Sequence, residues 1–165
     1  MARNVFYSFN FDDDAWRVSQ IKNMGAVSGQ PILAANEFEE IQKGGKAAIE
    51  KWIDDKMTGK SCVVVLIGRN TAGRKWVEYE FKKAWSEERA LLGVHIHKLE
   101  GDNGRPTGKG ANPFKGFTID GGKTRLDSVV PVYDPVQTTS KGVYNHIETN
   151  LADWVEDAIT ERKKH

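Results

Sequence analysis

The sequence predicts an α/β fold built on a mainly parallel sheet, and three observations predict it. Segments of β pattern alternate with segments of helical period along the whole chain, as strand–crossover–strand units require. Residues 62–67 (CVVVLI) form a continuous apolar run rich in β-branched valine, as expected of a strand buried on both faces of a parallel sheet. A short polar turn then leads into a helical apolar stripe of Val77, Phe81, Ala84 and Trp85. Ligands in open sheets of this class collect beyond the carboxyl ends of the strands, so this strand-to-helix turn is where chemistry is expected first.

The elements follow in order. Residues 4–9 (NVFYSF) read as the first strand, and 10–14 (NFDDD) as a polar turn with good helix caps. A helix is expected over 14–22, with Trp16, Val18 and Ile21 apolar, ended by Gly25. Residues 31–35 (PILAA) suggest a short second strand, which Pro31 places at an edge. A turn of helix over 36–42 precedes the break at Gly44 and Gly45. Residues 46–57 are amphipathic through Ile49, Trp52, Ile53 and Met57, and Gly59 stops them. After the central strand, Asn70 or Thr71 is positioned to cap the helix that starts near Lys75.

Residues 91–97 (LLGVHIH) read as a fourth strand. Residues 101–128 are long, polar and rich in glycine, with Pro106 and Pro113. A segment of that length without a clear element is usually functional, so it is expected at the carboxyl-end rim or far edge of the sheet, more mobile than the core. Residues 129–133 (VVPVY) form a short last strand, an edge because of Pro131. Residues 145–162 close the chain as a helix, with Ile147, Leu151, Trp154, Val155 and Ile159 on one stripe.

The 165 residues suit one domain spanning 1–165, long enough for a real core. The 24 basic and 23 acidic side chains leave a net charge of +1, which excludes a bulk field that would recruit nucleic acid or an anionic membrane. The single cysteine, Cys62, lies in the apolar strand, reads as a small core residue and cannot form an internal disulfide. It fits a reducing cytoplasm. The start of the chain turns acidic too early for a secretory leader, and no apolar run approaches the ~20 residues of a membrane span.

Several chemical patterns are near misses. Residues 68–75 (GRNTAGRK) have strand, turn and helix in P-loop order, but Arg74-Lys75 stands where Lys-Ser/Thr is required. Residues 122–124 (GKT) have the right ending, with Phe117 at the first glycine position and no strand before it. A backbone N-terminus of this kind can still bind phosphate without the motif. His95 and His97 share a strand face but lack a third ligand nearby in sequence, so they read as exposed or hydrogen-bonded strand-end histidines, with no metal expected. A phospho-acceptor receiver domain would need an Asp after the third strand, where Ile67, Gly68 and Arg69 stand. The helix after the central strand carries Glu78 and Glu80 at opposite margins of its apolar stripe. Periodicity does not choose between them, and acids in a first turn also suit the helix dipole.

Three segments together resemble a TIR domain, in particular the bacterial TIR-like family that includes the NAD-consuming proteins of Thoeris antiphage defence. Residues 5–14 (VFYSFNFDDD) resemble that family's first strand and acidic turn, and 61–68 its central strand. Residues 76–81 (WVEYEF) resemble its pattern of Trp, a small residue or Cys, two variable residues, Glu and an apolar residue, with Val77 in place of the common Cys. Residues 110–114 (GANPF) resemble a further family segment. The resemblance covers most of 5–133, and the long 101–128 segment departs from standard TIR domains.

The resemblance implies a flavodoxin-like three-layer sandwich with five strands in the order 2-1-3-4-5. It implies cleavage of the nicotinamide–ribose bond of NAD+, with Glu80 as the catalytic glutamate that stabilises the ribose cation and Glu78 variable. NAD+ is then the substrate, and no further cofactor is expected. Ser8 and Phe9 are expected to orient the nicotinamide ribose, Asn10 and Asp12 to bond ribose or amide, Arg69 or the backbone after Gly68 to take a phosphate and Trp76 to wall the pocket. Family members release ADP-ribose or convert it into a nucleotide signal read by a downstream effector, and many act only when self-assembled. A non-catalytic TIR-like interaction module is the alternative from a different class.

Overall fold

A computed structural model describes residues 3–165. Met1 and Ala2, the first residues of the segment that is not expected to act as a leader, lie outside the described residues. The elements run β1 (Asn4–Ser8), α1 (Phe11–Asn23), β2 (Ser28–Gly29), α2 (Ala35–Lys43), α3 (Gly45–Met57), β3 (Cys62–Ile67), α4 (Lys75–Ser86) and β4 (Ala90–His95). They continue with β5 (Thr118–Ile119), β6 (Thr124–Arg125), α5 (Leu126–Val129), β7 (Val132–Tyr133) and α6 (Ser140–Arg162). The main sheet has five strands in the order β2-β1-β3-β4-β7. All four pairings within it are parallel. This is the flavodoxin-like order expected from the sequence.

Strand alternation sorts the core into two layers. Val5, Tyr7, Val64, Leu66, Leu92 and Val94 face Val18 and Ile21 of α1 and Val143, Ile147, Leu151 and Val155 of α6. Phe6, Val63, Val65, Ile67 and Leu91 face Ile53 and Met57 of α3 and Val77, Phe81 and Ala84 of α4. Every residue of β3 is buried, because strands and helices cover it on all sides. Burial pushes the Cys62 thiol well above its ordinary pKa, so it behaves as a core residue rather than a nucleophile.

Several boundaries differ from the sequence expectation. Helix α1 starts at Phe11, so the acidic run Asp12–Asp14 is its first turn rather than a preceding loop. Trp16 lies off the buried stripe and is 57% exposed, while Asp14 and Arg17 turn inward. Their buried salt bridge spans 3.1 Å. The second strand is Ser28–Gly29, not 31–35. It is short because a side chain continues its pairing: Gln30 Nε2 donates to the Tyr7 carbonyl at 2.8 Å, and Gln30 Oε1 accepts from the Tyr7 amide at 2.9 Å. The edge of β1 is thereby satisfied up to the residue before Ser8. Helix α6 begins at Ser140, five residues before the expected 145, with Thr139 Oγ1 capping the Gly142 amide at 3.1 Å.

The turn after β3 also differs. Neither Asn70 nor Thr71 caps α4, whose N-cap is Arg74 without a side-chain bond. Thr71 Oγ1 instead accepts from the Gly68 amide at 2.8 Å, and Asn70 Nδ2 donates to Asp13 at 2.8 Å. The turn therefore closes on itself and ties to α1.

Residues 101–128 start at the carboxyl end of the sheet, where Gly110 meets the turn after β3, and continue along α4 with a small hairpin of β5 and β6. Gly110 packs on the Gly68 carbonyl so closely that a Cβ there would strike it. Asn112 Oδ1 accepts from the Phe114 amide at 2.9 Å, which turns the chain inward. Phe114 is fully buried and meets Phe81 edge-on at 5.1 Å, with Phe117 doing the same at 5.2 Å. The segment thus braces α4 at the residue next to Glu80.

Candidate active site

Ser8 is the last residue of β1 and lies on the same sheet face as Phe6, the face covered by α4. From α4, Glu80 reaches it: the Ser8 Oγ to Glu80 Oε1 distance is 2.6 Å. Both are buried, with Ser8 at 0% and Glu80 at 7% exposure. Among the described residues no cation pairs with this carboxyl. Burial therefore raises the Glu80 pKa from 4.5 to about 8, and the Ser8 hydrogen bond only partly opposes it. Glu78, on the same helix, is less buried and makes no hydrogen bond to the pair. Of the two acids at the margins of α4, Glu80 borders the cavity described below and Glu78 does not.

Glu80 opens onto a cavity of about 290 Å³ between the end of β1, the starts of α1 and α4, and the α2–α3 pair. Phe9, Asn10, Asp12 and Trp76 line it with Glu80, and Ser8 sits behind the carboxyl. Trp76, one turn before Glu80, presents its ring to the cavity and packs edge-on to Tyr79 at 5.6 Å. Asn10 is 5% exposed, and its Nδ2 donates to the Asn70 carbonyl at 3.3 Å.

Arg69 is not brought to the site. It is exposed on the outside of the closed turn and borders no part of the cavity. Arg74 and Lys75, at the start of α4, line the cavity instead. These are the two residues that spoil the P-loop pattern, and that mismatch was the one sequence signal for them. Gln30, Phe11, Phe38 and Trp52 also line the cavity without having been singled out. Gln30 had no sequence signal, since its role is to imitate a strand. Phe38 lay in the weakly patterned 36–42.

His95 and His97 are neither exposed nor hydrogen-bonded at Nδ1, contrary to the expectation for strand-end histidines. They are 5% and 6% exposed, and each Nδ1 is buried without a partner. Strand β4 ends at His95, and the Thr107 amide donates to the His97 carbonyl at 2.9 Å, which brings the following segment back to this strand end. Burial holds His95 down to about 4 and lowers His97 as well. Among the described residues no group of three or more His, Cys, Asp or Glu side chains converges as a metal site would require. No helix there is long and apolar enough to cross a membrane.

A family model described as "Thoeris protein ThsB, TIR-like domain" matches residues 6–101, which run from β1 past β4 and include Ser8, Arg74, Lys75, Trp76 and Glu80. A protein of Bacillus cereus (strain MSX-D12) named "Putative cyclic ADP-D-ribose synthase ThsB1" is 31% identical over 119 residues, covering 69% of this chain and 62% of that relative. The chain thus spans about three-fifths of the relative's length. With the flavodoxin-like strand order and the buried Ser8–Glu80 pair at the carboxyl end of the sheet, the family match covers more than half of the chain: it belongs to the TIR-like domain family of the Thoeris protein ThsB.

Proposed function

We propose that this chain cleaves the nicotinamide–ribose bond of NAD+ and makes an ADP-ribose-derived nucleotide signal in antiphage defence. The observation that carries the proposal is the Ser8–Glu80 pair, a carboxyl buried without a cation at the wall of a cavity. Such a group costs stability and returns none, which is typical of functional sites. A purely interacting module has no use for it. The name of the Bacillus cereus relative, "Putative cyclic ADP-D-ribose synthase ThsB1", supports the same chemistry.

The chemistry needs little more. The C1′–N bond breaks with its electron pair going to nicotinamide, which leaves as a neutral molecule, so no strong general acid is required. The ribose is left as an oxocarbenium cation. Glu80, ionised opposite the cationic substrate, stabilises that charge in a site with few competing dipoles. Ser8 fixes the carboxyl's rotamer. Trp76 and Phe9 wall the nicotinamide ribose, Asn10 and Asp12 take hydroxyl or amide groups, and Arg74 and Lys75 face the diphosphate. Water at C1′ gives ADP-ribose and a proton, whereas attack by an atom of the same molecule gives a cyclic isomer lacking that water. The working form is a self-assembled one in the cytoplasm, and its product is read by a downstream effector.

The test is incubation of the assembled protein with NAD+ and mass spectrometry of the products, with and without an inducing infection. Nicotinamide should appear in step with NAD+ loss, together with ADP-ribose or its dehydrated cyclic isomer. NAD+ that stays intact under every inducing condition would transfer the chain to the interaction-module reading.

A further inference from the structure

Phe11 is the first residue of α1, and Phe38 projects from α2. Their rings stack at a centroid distance of 4.2 Å and an interplanar angle of 17°, and both rings line the cavity. The two helices are otherwise differently anchored. Helix α1 is fixed to the sheet by Val18 and Ile21, but no residue of α2 is fully buried. Its cap is local, the Glu37 side chain accepting from the Ala34 amide at 3.0 Å. Phe38 can therefore move away from Phe11 by the thickness of a flat ring without opening the core.

On the α2 side of this pair the wall is mainly apolar. Ile32 and Leu33 lie in the strap leading into α2, and Ile41 is one turn beyond Phe38. The acid of the cavity, Glu80, is held at Ser8, and Phe11 follows Ser8 by three residues, at most ~10 Å of chain. The cavity, about 290 Å³, lies just below the ~300–1,000 Å³ typical of small-molecule sites, and parting the stacked rings would enlarge it.

We infer that the Phe11–Phe38 stack is the adenine subsite, opening to hold the neutral purine between its two rings while the cationic nicotinamide end lies at Glu80. This rests on the NAD+ reading of the site. The division follows from charge: a pyridinium gains most beside a carboxyl, and a neutral base gains most between aromatic faces in apolar surroundings. Stacking of this kind tolerates exchange of one aromatic ring for another and does not tolerate loss of the ring face.

The test is binding, which needs no turnover. Dissociation constants for AMP and for nicotinamide mononucleotide are measured by calorimetry on the wild type and on Phe38→Ala, Phe38→Leu and Phe38→Trp, with Trp16→Ala on the outer face of α1 as control. Thermal melts establish that each variant is folded. Phe38→Ala and Phe38→Leu should weaken AMP about 10- to 100-fold, the scale of one lost base stack. Phe38→Trp and Trp16→Ala should hold AMP within ~3-fold of wild type, and nicotinamide mononucleotide should change by less than ~3-fold in every variant. A wild type that does not bind AMP, AMP binding unaltered in Phe38→Ala and Phe38→Leu, or equal weakening of both ligands would overturn the assignment. The two proposals fail separately. Phe38-dependent AMP binding by a protein that leaves NAD+ intact keeps the subsite and removes the cleavage, whereas NAD+ cleavage with AMP binding indifferent to Phe38 does the reverse.

Discussion

Glu80→Gln should fold and lose NAD+ cleavage by at least ~100-fold, the scale of removing one aligned electrostatic group from a transition state. Glutamine keeps the size of the side chain and can still accept the Ser8 hydroxyl hydrogen bond now seen at 2.6 Å. What it removes is the negative charge proposed to face the oxocarbenium cation. Glu78→Gln is the matched control, since Glu78 is on the same helix and less buried. A loss through the helix dipole would strike both variants about equally and by under ~1 kcal/mol. The account expects a large loss in one and a small loss in the other, read as nicotinamide release under conditions where the wild type turns over. Retained turnover in Glu80→Gln, or equal losses in both, would remove Glu80 from its role.

The same substitution should make the protein more stable, and increasingly so as pH rises. Burial puts the folded-state pKa of Glu80 at about 8 against an ordinary 4.5. Between those values the native chain keeps a proton that the unfolded chain releases, so native stability falls as pH climbs from about 4.5 to about 8 and levels off above. Each unit is worth ~1.4 kcal/mol. Glutamine carries no such dependence. Denaturant unfolding should find Glu80→Gln and wild type nearly equal near pH 4 and the variant ahead by about 4 kcal/mol near pH 8, an increase of ~8–16 °C in Tm. A wild type whose stability does not fall relative to Glu80→Gln across that interval would mean that Glu80 is solvated and ordinary. The sign is the informative part: a carboxyl retained for structure would be missed when replaced, and one retained for chemistry strains the fold that holds it.

The central architecture was legible because local pattern and tertiary environment agree there. The valine run of β3 is buried on both faces, and Val77, Phe81 and Ala84 lie on one helix stripe, as periodicity requires. Strand β2 was misplaced by three residues because its continuation is a side chain: Gln30 pairs with Tyr7 where backbone would be sought. The hairpin in 101–128 escaped because its strands are two residues long, below any period that a pattern can show. Its anchoring depends on Phe114 meeting Phe81, a contact between distant parts of the chain.

For the site, motif and geometry contributed differently. Ser8, Phe9, Asn10, Asp12 and Trp76 come together with Glu80 because they flank the ends of β1 and the start of α4, which the strand order places side by side. Arg69 was expected on the phosphate by its nearness in sequence to Gly68, but the Thr71–Gly68 hydrogen bond closes the turn and leaves its side chain outside. Arg74 and Lys75 take the cavity-facing place. Phe38 belongs to a helix that buries no residue completely, so no core pattern pointed to it.

The ionisation of Glu80 itself tests the central claim most directly. In protein carrying carbon-13 at the glutamate carboxyls, with the Glu80 resonance assigned by its loss in Glu80→Gln, the titration is followed with and without nicotinamide mononucleotide, whose ring carries the substrate's positive charge. The account predicts a midpoint near the about 8 set by burial in the free protein, and a clear fall when the cationic ring is bound opposite the carboxyl. A free-protein midpoint near the ordinary 4.5, or a midpoint that the cation leaves unmoved, would contradict it.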